Sequence, residues 1–315
     1  MSPFGPLPTV ARAAALWAAI AGCSAPPDAR HVPETVDAAR QPVAAARERN
    51  AALDDLLAAA VLEIRRTAPS GFAVRVVRPF VVVSDESPAV VGRRVARVVE
   101  PAIDWLERSF FRTEPKSAIA IWICADADSY ARTARSLTGG EPSTPFGFYS
   151  GEHGAIVLDA STGDGTLVHE LVHPFVRADF PACPTWLDEG LGSLYERCVF
   201  EGDSLRGLVN WRLDALRRAA AEARVPAIAD LVRMTPESFY GDGSELNYAA
   251  ARYLCLYLQE RGALAELYRR LRDIAVSSAD PVADAEQAIA DLLGVRGIGE
   301  VDAAFRAWVT KLDAG

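Results

Sequence analysis

Apolar residues recur with helical spacing along most of the chain, and short β-branched runs interrupt them. Residues 49–67 repeat apolar positions every three or four residues and predict a helix that stops at APSG. The next run, FAVRVVRPFVVVSD, predicts one strand or a hairpin interrupted at Pro79. Residues 87–111 predict a long helix with a kink expected at Pro101.

Three further runs, SAIAIWICAD, PFGFYS and GAIVLDA, predict strands, and a helix is expected after the first of them. Helical patterns then dominate. The pattern indicates an α+β fold, with a small mixed sheet and helices in 49–165 and a helical lobe in 166–315. The helices predicted in the lobe cover residues 166–174, 185–199, 204–223, 226–234, 244–260, 262–275, 281–293 and 298–312.

The N-terminal residues do not fit this pattern. Residues 1–22 carry one basic residue and then the apolar run AAALWAAIAG, which is typical of a signal peptide and too short to span a bilayer. The run ends in IAGC, which resembles the lipobox of bacterial lipoproteins and makes Cys23 the expected lipidation site. This resemblance implies export and a lipid anchor at the periplasmic face of a bacterial membrane. Ser24, directly after the lipidated cysteine, is compatible with sorting to the outer membrane. Cleavage of an ordinary secretory signal is the alternative.

Residues 23–48 are rich in Ala, Pro, Arg and Asp without apolar periodicity, and they predict a flexible tether before the folded domain at 49–315. The formal charge of −9 makes nucleic acid an unexpected partner. Export permits disulfides, and a bridge between Cys183 and Cys198 would brace the segment between them. The alternative is that all four cysteines after Cys23 are small buried side chains.

The residues suited to catalysis are concentrated in TLVHELVHPFVRADFPACPTWLDEGLGSLYE, residues 166–196. His169 and His173 are four residues apart, so they share one face of a helix and can present ring nitrogens to one zinc ion. Glu170 lies beside the first histidine, where it could take a proton from water on the metal. This is the H-E-x-x-H arrangement of zinc hydrolases.

A catalytic zinc site needs a third protein ligand. Glu189 is the candidate, because a second helix packed antiparallel to the first would bring it opposite the histidines. Asp188 is the rival ligand, although its side chain lies about 100° around the helix from that of Glu189. Asp188 and Glu196 are also candidates to support the metal ligands without binding the metal themselves. Glu196 shares a face with Glu189 and could orient a histidine. Pro174 predicts that the first helix ends or kinks directly after the second histidine.

These residues resemble the gluzincin metallopeptidases of the peptidase MA clan, in particular the bacterial peptidase MA-like proteins. The resemblance rests on TLVHELVH, PTWLDEGLGSLYE and the downstream VPAIADLVRM and NYAAARYLCLYLQERG, and it extends loosely over residues 79–275. It implies a zincin-like fold with one zinc ion in the cleft between sheet and helical lobe. The implied ligands are His169, His173 and Glu189, with Glu170 as the general base.

The resemblance also implies hydrolysis of a peptide bond in a peptide or protein substrate. GAIVLDA, as the sheet edge, would pair with the extended substrate. Tyr248 is the first candidate to stabilise the oxyanion and Tyr240 the second, although both could be packing residues. Gly192 departs from the family, which more often has alanine there.

The sequence therefore predicts a membrane-anchored zinc metallopeptidase of the cell envelope, acting as an endopeptidase. One alternative is a catalytically silent lipoprotein that keeps the fold to bind or scaffold a partner. Another is an enzyme that hydrolyses a non-peptide amide. Glu170 favours an enzyme, because a binding module has no need of a general base.

Overall fold

The computed structural model describes residues 35–142, 144–201 and 204–313. The predicted signal peptide, Cys23 and the first part of the tether lie outside the described residues. Contacts divide the chain into two units, Met1–Arg47 and Glu48–Gly315. Of the first unit only helical residues are described. Among the described helices, none is long and apolar enough to cross a membrane.

Helix α1 spans Thr35–Thr67, so the helix start predicted at residue 49 is wrong. The segment predicted as a tether has no apolar stripe, but its alanine, arginine and glutamate residues have high helix propensity. The composition of this segment therefore favours a helix, although the segment lacks the apolar periodicity from which a helix would be predicted.

Five strands form a mixed sheet in the order β1-β2-β3-β5-β4. Strands β2, β3 and β5 are parallel, and β1 and β4 run antiparallel to their neighbours at the two edges. Of the two alternatives predicted around Pro79, one strand or a hairpin, the hairpin is the one that forms. The strands are β1 (Ala73–Val77), β2 (Phe80–Ser84), β3 (Ile119–Cys124), β4 (Gly147–Ser150) and β5 (Ala155–Asp159).

GAIVLDA was expected at the sheet edge, and this is wrong. It forms β5, which lies between β3 and β4, so that β4 is the edge strand. All five residues of β5 are buried, as in a strand that is covered on both faces of the sheet. The short glycine turn after β4 lets that strand fold back onto the outer side of β5 and take the edge position.

Alternate residues of the strands face two different cores. Phe80 and Val82 pack with α3 (Glu100–Ser109) and α5 (Asp164–Asp179), whereas Val81 and Val83 pack with α1 and α4 (Ala127–Thr138). The sheet is therefore covered on both faces, and α5, which carries both histidines, packs against one of them.

The segment predicted as a long helix with a kink at Pro101 is built from three pieces. Helix α2 spans Pro88–Arg94, a π-helical turn follows at Val95–Val99, and α3 then begins. Pro101 has no N–H to donate to the preceding turn. The wider π turn lies directly before it, with the backbone N–H of Glu100 bonded to the carbonyl of Val95.

Helix α5 does not end at Pro174 as predicted but continues to Asp179. The ring of Pro174 is buried, and Phe175 and Val176 after it are also buried. A proline inside a helix costs about 3 kcal/mol, and burying Phe175 and Val176 contributes roughly 1.5–3 kcal/mol each. Packing of the helix end therefore outweighs the missing hydrogen bond.

Helix α6 spans Thr185–Tyr195, and two of the predicted helix bounds nearby are wrong. A hairpin of β6 (Cys198–Glu201) and β7 (Ser204–Gly207) lies where helix was expected, and α7 begins only at Arg212 and ends at Ala221. Val199 and Phe200 favour a strand, and Gly202 with Asp203 is typical of a turn in sequence.

The remaining helices fall close to the predicted ranges, with one short addition, α9. They are α8 (Ile228–Arg233), α9 (Pro236–Tyr240), α10 (Ser244–Glu260), α11 (Leu264–Ser277), α12 (Pro281–Leu292) and α13 (Ile298–Lys311). The α+β class with a small mixed sheet is thus confirmed.

The predicted bridge between Cys183 and Cys198 is wrong, because both cysteines are free, as are Cys124 and Cys255. Cys183 precedes α6 and Cys198 follows it. The 11 residues of that helix rise about 16 Å, whereas a disulfide requires Cα atoms less than about 7 Å apart. Helix α6 itself therefore keeps the two thiols apart.

Gly190 allows α6 to pack closely against α10. A Cβ atom at this position would lie 2.8 Å from Sγ of Cys255 and 3.0 Å from the backbone oxygen of Ala251. We expect Gly190→Ala to lower the free energy of unfolding by on the order of 1 kcal/mol, since overpacking exceeds the gain in helix propensity. Urea denaturation measures this, with Gly140→Ala as the control because nothing lies within 4 Å of its Cβ position. Equal stability of the two variants would contradict the close approach.

Candidate metal centre

Helices α5 and α6 bring the residues of the H-E-x-x-H motif and Glu189 together. Gly165 near the start of α5 lies against the carbonyl of Glu196 at the end of α6, so the two helices run antiparallel. The antiparallel packing that the sequence required for a third ligand is therefore present. It places His169, His173 and Glu189 in one group whose ligand atoms all lie within 4.8 Å of one another.

One carboxylate oxygen of Glu189 faces both imidazoles. Its Oε2 atom lies 3.4 Å from Nε2 of His169 and 4.0 Å from Nε2 of His173. His169 and Glu189 are only 9% and 7% exposed. The ligand atoms of these three groups therefore lie close together in a largely buried region of the protein.

One carboxylate oxygen of this group lacks a hydrogen-bond partner, and this bears on whether the group fits a metal ion. Oε2 of Glu189 is buried and has no hydrogen-bond partner among the described residues, although a buried oxygen of this kind normally has one. Two ligands of a tetrahedral zinc ion, each about 2.0–2.1 Å from the metal, lie roughly 3.4 Å apart. Nε2 of His169 lies at that distance from this oxygen, and Nε2 of His173 lies somewhat farther away, at 4.0 Å. The group could therefore hold a metal ion.

The other nitrogen of each histidine faces a carboxylate. Nδ1 of His173 lies 2.8 Å from Oδ1 of Asp188, and Nδ1 of His169 lies 3.4 Å from Oε1 of Glu196. Asp188, the rival ligand in sequence, thus lies on the far side of His173 from Glu189. Carboxylates in such positions orient metal-binding histidines and leave Nε2 toward the ion.

Glu196 is itself held by residues that the sequence did not indicate. Nη2 of Arg212 donates to its Oε1 at 3.0 Å, and Nδ2 of Asn210 donates to its Oε2 at 3.2 Å. Both donors follow the β6–β7 hairpin, which was predicted as helix. No local spacing links them to Glu196, so only the fold could identify them.

Glu170 lies beside the metal-binding group without belonging to it. Its Oε2 atom is 3.9 Å from Nε2 of His173, and it lines the same cavity as Tyr149 of strand β4. Burial raises the pKa of Glu170, and the two histidines oppose this rise. A carboxylate with a raised pKa is a stronger base than one in water.

Both candidate tyrosines reach the site, but they contact it differently. The Tyr240 hydroxyl donates to Oε1 of Glu189 at 2.6 Å, and the Tyr248 ring lies 6.4 Å from the Tyr240 ring. Burial, followed by the charge of Glu189, raises the pKa of both tyrosines well above the usual range. Both hydroxyls therefore stay protonated and can donate hydrogen bonds.

The site opens into a cavity of about 530 Å³. Strand β4 contributes Tyr149, whose ring is stacked on His173 with 6.5 Å between centroids. Arg177 also lines the cavity. It lies four residues after His173, which itself lies four residues after His169, and this repeated spacing in the sequence could have identified it. The lining residues are Thr144, Gly147, Phe148, Tyr149, His169, Glu170, His173, Val176, Arg177, Phe180, Pro181, Cys183, Asp188, Glu189, Tyr240 and Tyr248.

Charges in the metal-free site stabilise one another. Burial opposes ionisation of Glu189, but the two histidines and the Tyr240 hydroxyl lower its pKa to about 2. Burial likewise opposes a charged His173, but Asp188 and Glu189 raise its pKa to about 9. Without a cation the histidines are therefore held protonated by the surrounding carboxylates.

Gly192 makes room for the ring of His169. A Cβ atom at this position would lie 3.0 Å from Nε2 and Cδ2 of that ring. The alanine that is more common in the family would therefore require the ring of His169 to move by a few tenths of an ångström.

We expect Gly192→Ala to displace His169 and weaken zinc binding by about tenfold to a hundredfold, the range for changes that disturb the support of a metal-bound histidine. Competition with a chromophoric chelator measures the affinity. Gly299→Ala is the matched control, because its Cβ position in helix α13 is open. Unchanged zinc affinity in Gly192→Ala would show that the ring position is not limiting.

The metal-free protein is expected to lose stability as the pH rises from about 6.5 to about 9. The folded-state pKa of His173 is raised to about 9 from 6.5, so its contribution is complete below pH 6.5 and disappears as the proton is lost. Urea unfolding of chelator-treated protein across this window measures the effect. The decrease of the free energy of unfolding with rising pH should be smaller in His173→Gln. An equal decrease in this variant would show that other groups cause the effect.

Compared with models of known protein families and with curated proteins, the chain matches none. The resemblance to gluzincin metallopeptidases therefore stays a prediction from the sequence. The arrangement of His169, His173, Glu189 and Glu170 carries the functional inference.

Proposed function

We propose that this chain is a zinc-dependent metallopeptidase, with His169, His173 and Glu189 as ligands and Glu170 as general base. The observation that carries the proposal is the buried Oε2 atom of Glu189, which faces Nε2 of both histidines and has no hydrogen-bond partner among the described residues. Zinc is the expected ion because two imidazoles and one carboxylate form a known catalytic ligand set with an open fourth position.

His169, His173 and Glu189 would hold the ion, which would supply polarisation of the scissile carbonyl and a lowered pKa for the attacking water. Glu170 lies 3.9 Å from His173 and would take a proton from that water and deliver it to the leaving amine. Asp188 and Glu196 would keep the histidines oriented. Tyr240 and Tyr248 remain the candidates for a hydrogen bond to the developing oxyanion. Tyr240 donates to Oε1 of Glu189 at 2.6 Å, and Tyr248 lines the same cavity.

Three further parts of the proposal rest on other observations. A zincin-like fold with the metal between sheet and helices is supported by the cavity, whose walls come from β4, α5 and α6. An extended peptide would add to the sheet at β4, which is an edge strand and lines the cavity. Export and anchoring through Cys23 rest on the sequence alone, and action on envelope peptides or proteins follows from them.

Zinc content is the first test. We expect about one zinc ion per wild-type chain by elemental analysis, a clear loss in Glu189→Ala, and no loss in Glu245→Gln, an exposed carboxylate on α10. Glu170→Gln should keep its zinc and lose hydrolysis of a peptide library. Hydrolysis retained in Glu170→Gln would contradict the general base. A folded wild type that binds no added zinc would leave the binding or scaffold lipoprotein as the better account.

A further inference from the structure

Arg177 presents a guanidinium group to the cavity that holds the metal-binding group. It is exposed and lies four residues after His173 and eight after His169 on α5. Positions i, i+4 and i+8 lie along one face of a helix. Arg177 therefore continues the row formed by the two histidines.

Gly151, in the turn after β4, provides the position in which this guanidinium lies. A Cβ atom on Gly151 would come within 2.5 Å of Nη1 and 2.7 Å of Cζ of Arg177. The guanidinium therefore lies directly against the backbone of Gly151, and a larger residue there would require the arginine side chain to move. Its position thus involves two elements, helix α5 and the β4–β5 turn.

Arg177 forms no ion pair with any carboxylate of the described part of the chain, unlike several other arginines close to α5 and α6. Arg212 pairs with Glu196 at 3.0 Å, and Arg272 pairs with Asp179 at 2.7 Å. Within the cavity, Asp188 lies 2.8 Å from Nδ1 of His173, and Glu189 belongs to the metal-binding group. A basic residue in the last turn of a helix complements the helix dipole, but this does not account for the contact with Gly151.

We propose that Arg177 binds a carboxylate of the substrate and so determines specificity. This deepens the proposed function and rests on it. Arginine presents a planar fork of donors that matches a carboxylate with two parallel hydrogen bonds. Four residues of helix separate Arg177 from His173, a rise of about 6 Å, which is the span of about two residues of extended peptide.

The preferred substrate therefore carries a carboxylate within about two residues of the bond that is cut. A carboxylate at that distance has two sources. One is the C-terminal carboxylate of the peptide, and the other is the side chain of an aspartate or glutamate. The chemistry at Arg177 is the same for both, and amidation of the C-terminus separates them.

Binding can be measured apart from catalysis in zinc-loaded Glu170→Gln by titration calorimetry. The probes are acetylated alanine hexapeptides with a free C-terminus, the same peptides as C-terminal amides, and amides in which glutamate or glutamine occupies each position in turn. We expect a carboxylate-bearing probe to bind about tenfold or more tightly than its uncharged counterpart, the range for charge-assisted hydrogen bonds. Preference for the free C-terminus or for one glutamate position identifies the source.

Three substitutions on the Glu170→Gln background assign the effect to Arg177. Arg177→Gln should abolish the preference, and Arg177→Lys should keep part of it. Gly151→Ala retains the charge but displaces the guanidinium, so it should reduce the preference without removing an ion. Arg218→Gln, an exposed arginine on α7 away from the cavity, is the control and should leave the preference intact.

The possible results separate this inference from the proposed function. If wild type hydrolyses peptides but Arg177→Gln keeps the same preference, the inference is overturned and the metallopeptidase stands. If wild type hydrolyses nothing yet binds carboxylate probes in a manner that depends on Arg177, the proposed reaction fails and the carboxylate site stands. Equal binding of charged and uncharged probes by the Glu170→Gln protein overturns the inference directly.

Discussion

The candidate site depends on how closely helix α5 approaches helix α6. Gly165 lies against the carbonyl of Glu196, and Gly192 lies against the ring of His169, so no side chain separates the two helices at these points. This close approach allows the carboxylate of Glu189 to lie near both imidazoles. Interiors are packed densely and do not yield easily, so the helix pair fixes the distances on which metal binding would depend.

The same packing buries an excess of acid, which a bound cation would balance. Glu170, Asp188, Glu189 and Glu196 surround two histidines, and Arg212 is the guanidinium paired with one of them. Buried charges are destabilising unless they are paired and hydrogen-bonded. Protonated histidines can supply this balance in the metal-free protein, whereas a divalent ion would supply it with neutral histidines. The charges of the site are therefore compatible with a bound cation, as is the grouping of its ligand atoms.

Several features that the sequence predicted wrongly share one cause. The chain continues as helix through Pro174 because the following residues are buried, and β5 is an inner strand because β4 covers its outer side. Cys183 and Cys198 stay apart because α6 separates them. In each case a contact made in the folded protein outweighs a local preference of the sequence. The tertiary contacts that decided these points join parts of the chain that no short window contains.

The sequence by itself determined the parts of the site that depend on one helix. His169 and His173 share a face and Glu170 lies beside them, because the geometry of a helical turn is local. It also marked Glu189, Glu196 and Asp188 as candidates, but it did not assign the last two to particular imidazole nitrogens. Only the tertiary structure decided that Asp188 faces His173, that Glu196 faces His169, and that Gly151 receives Arg177. Those contacts join separate elements, and their distances are set by packing rather than by spacing along the chain.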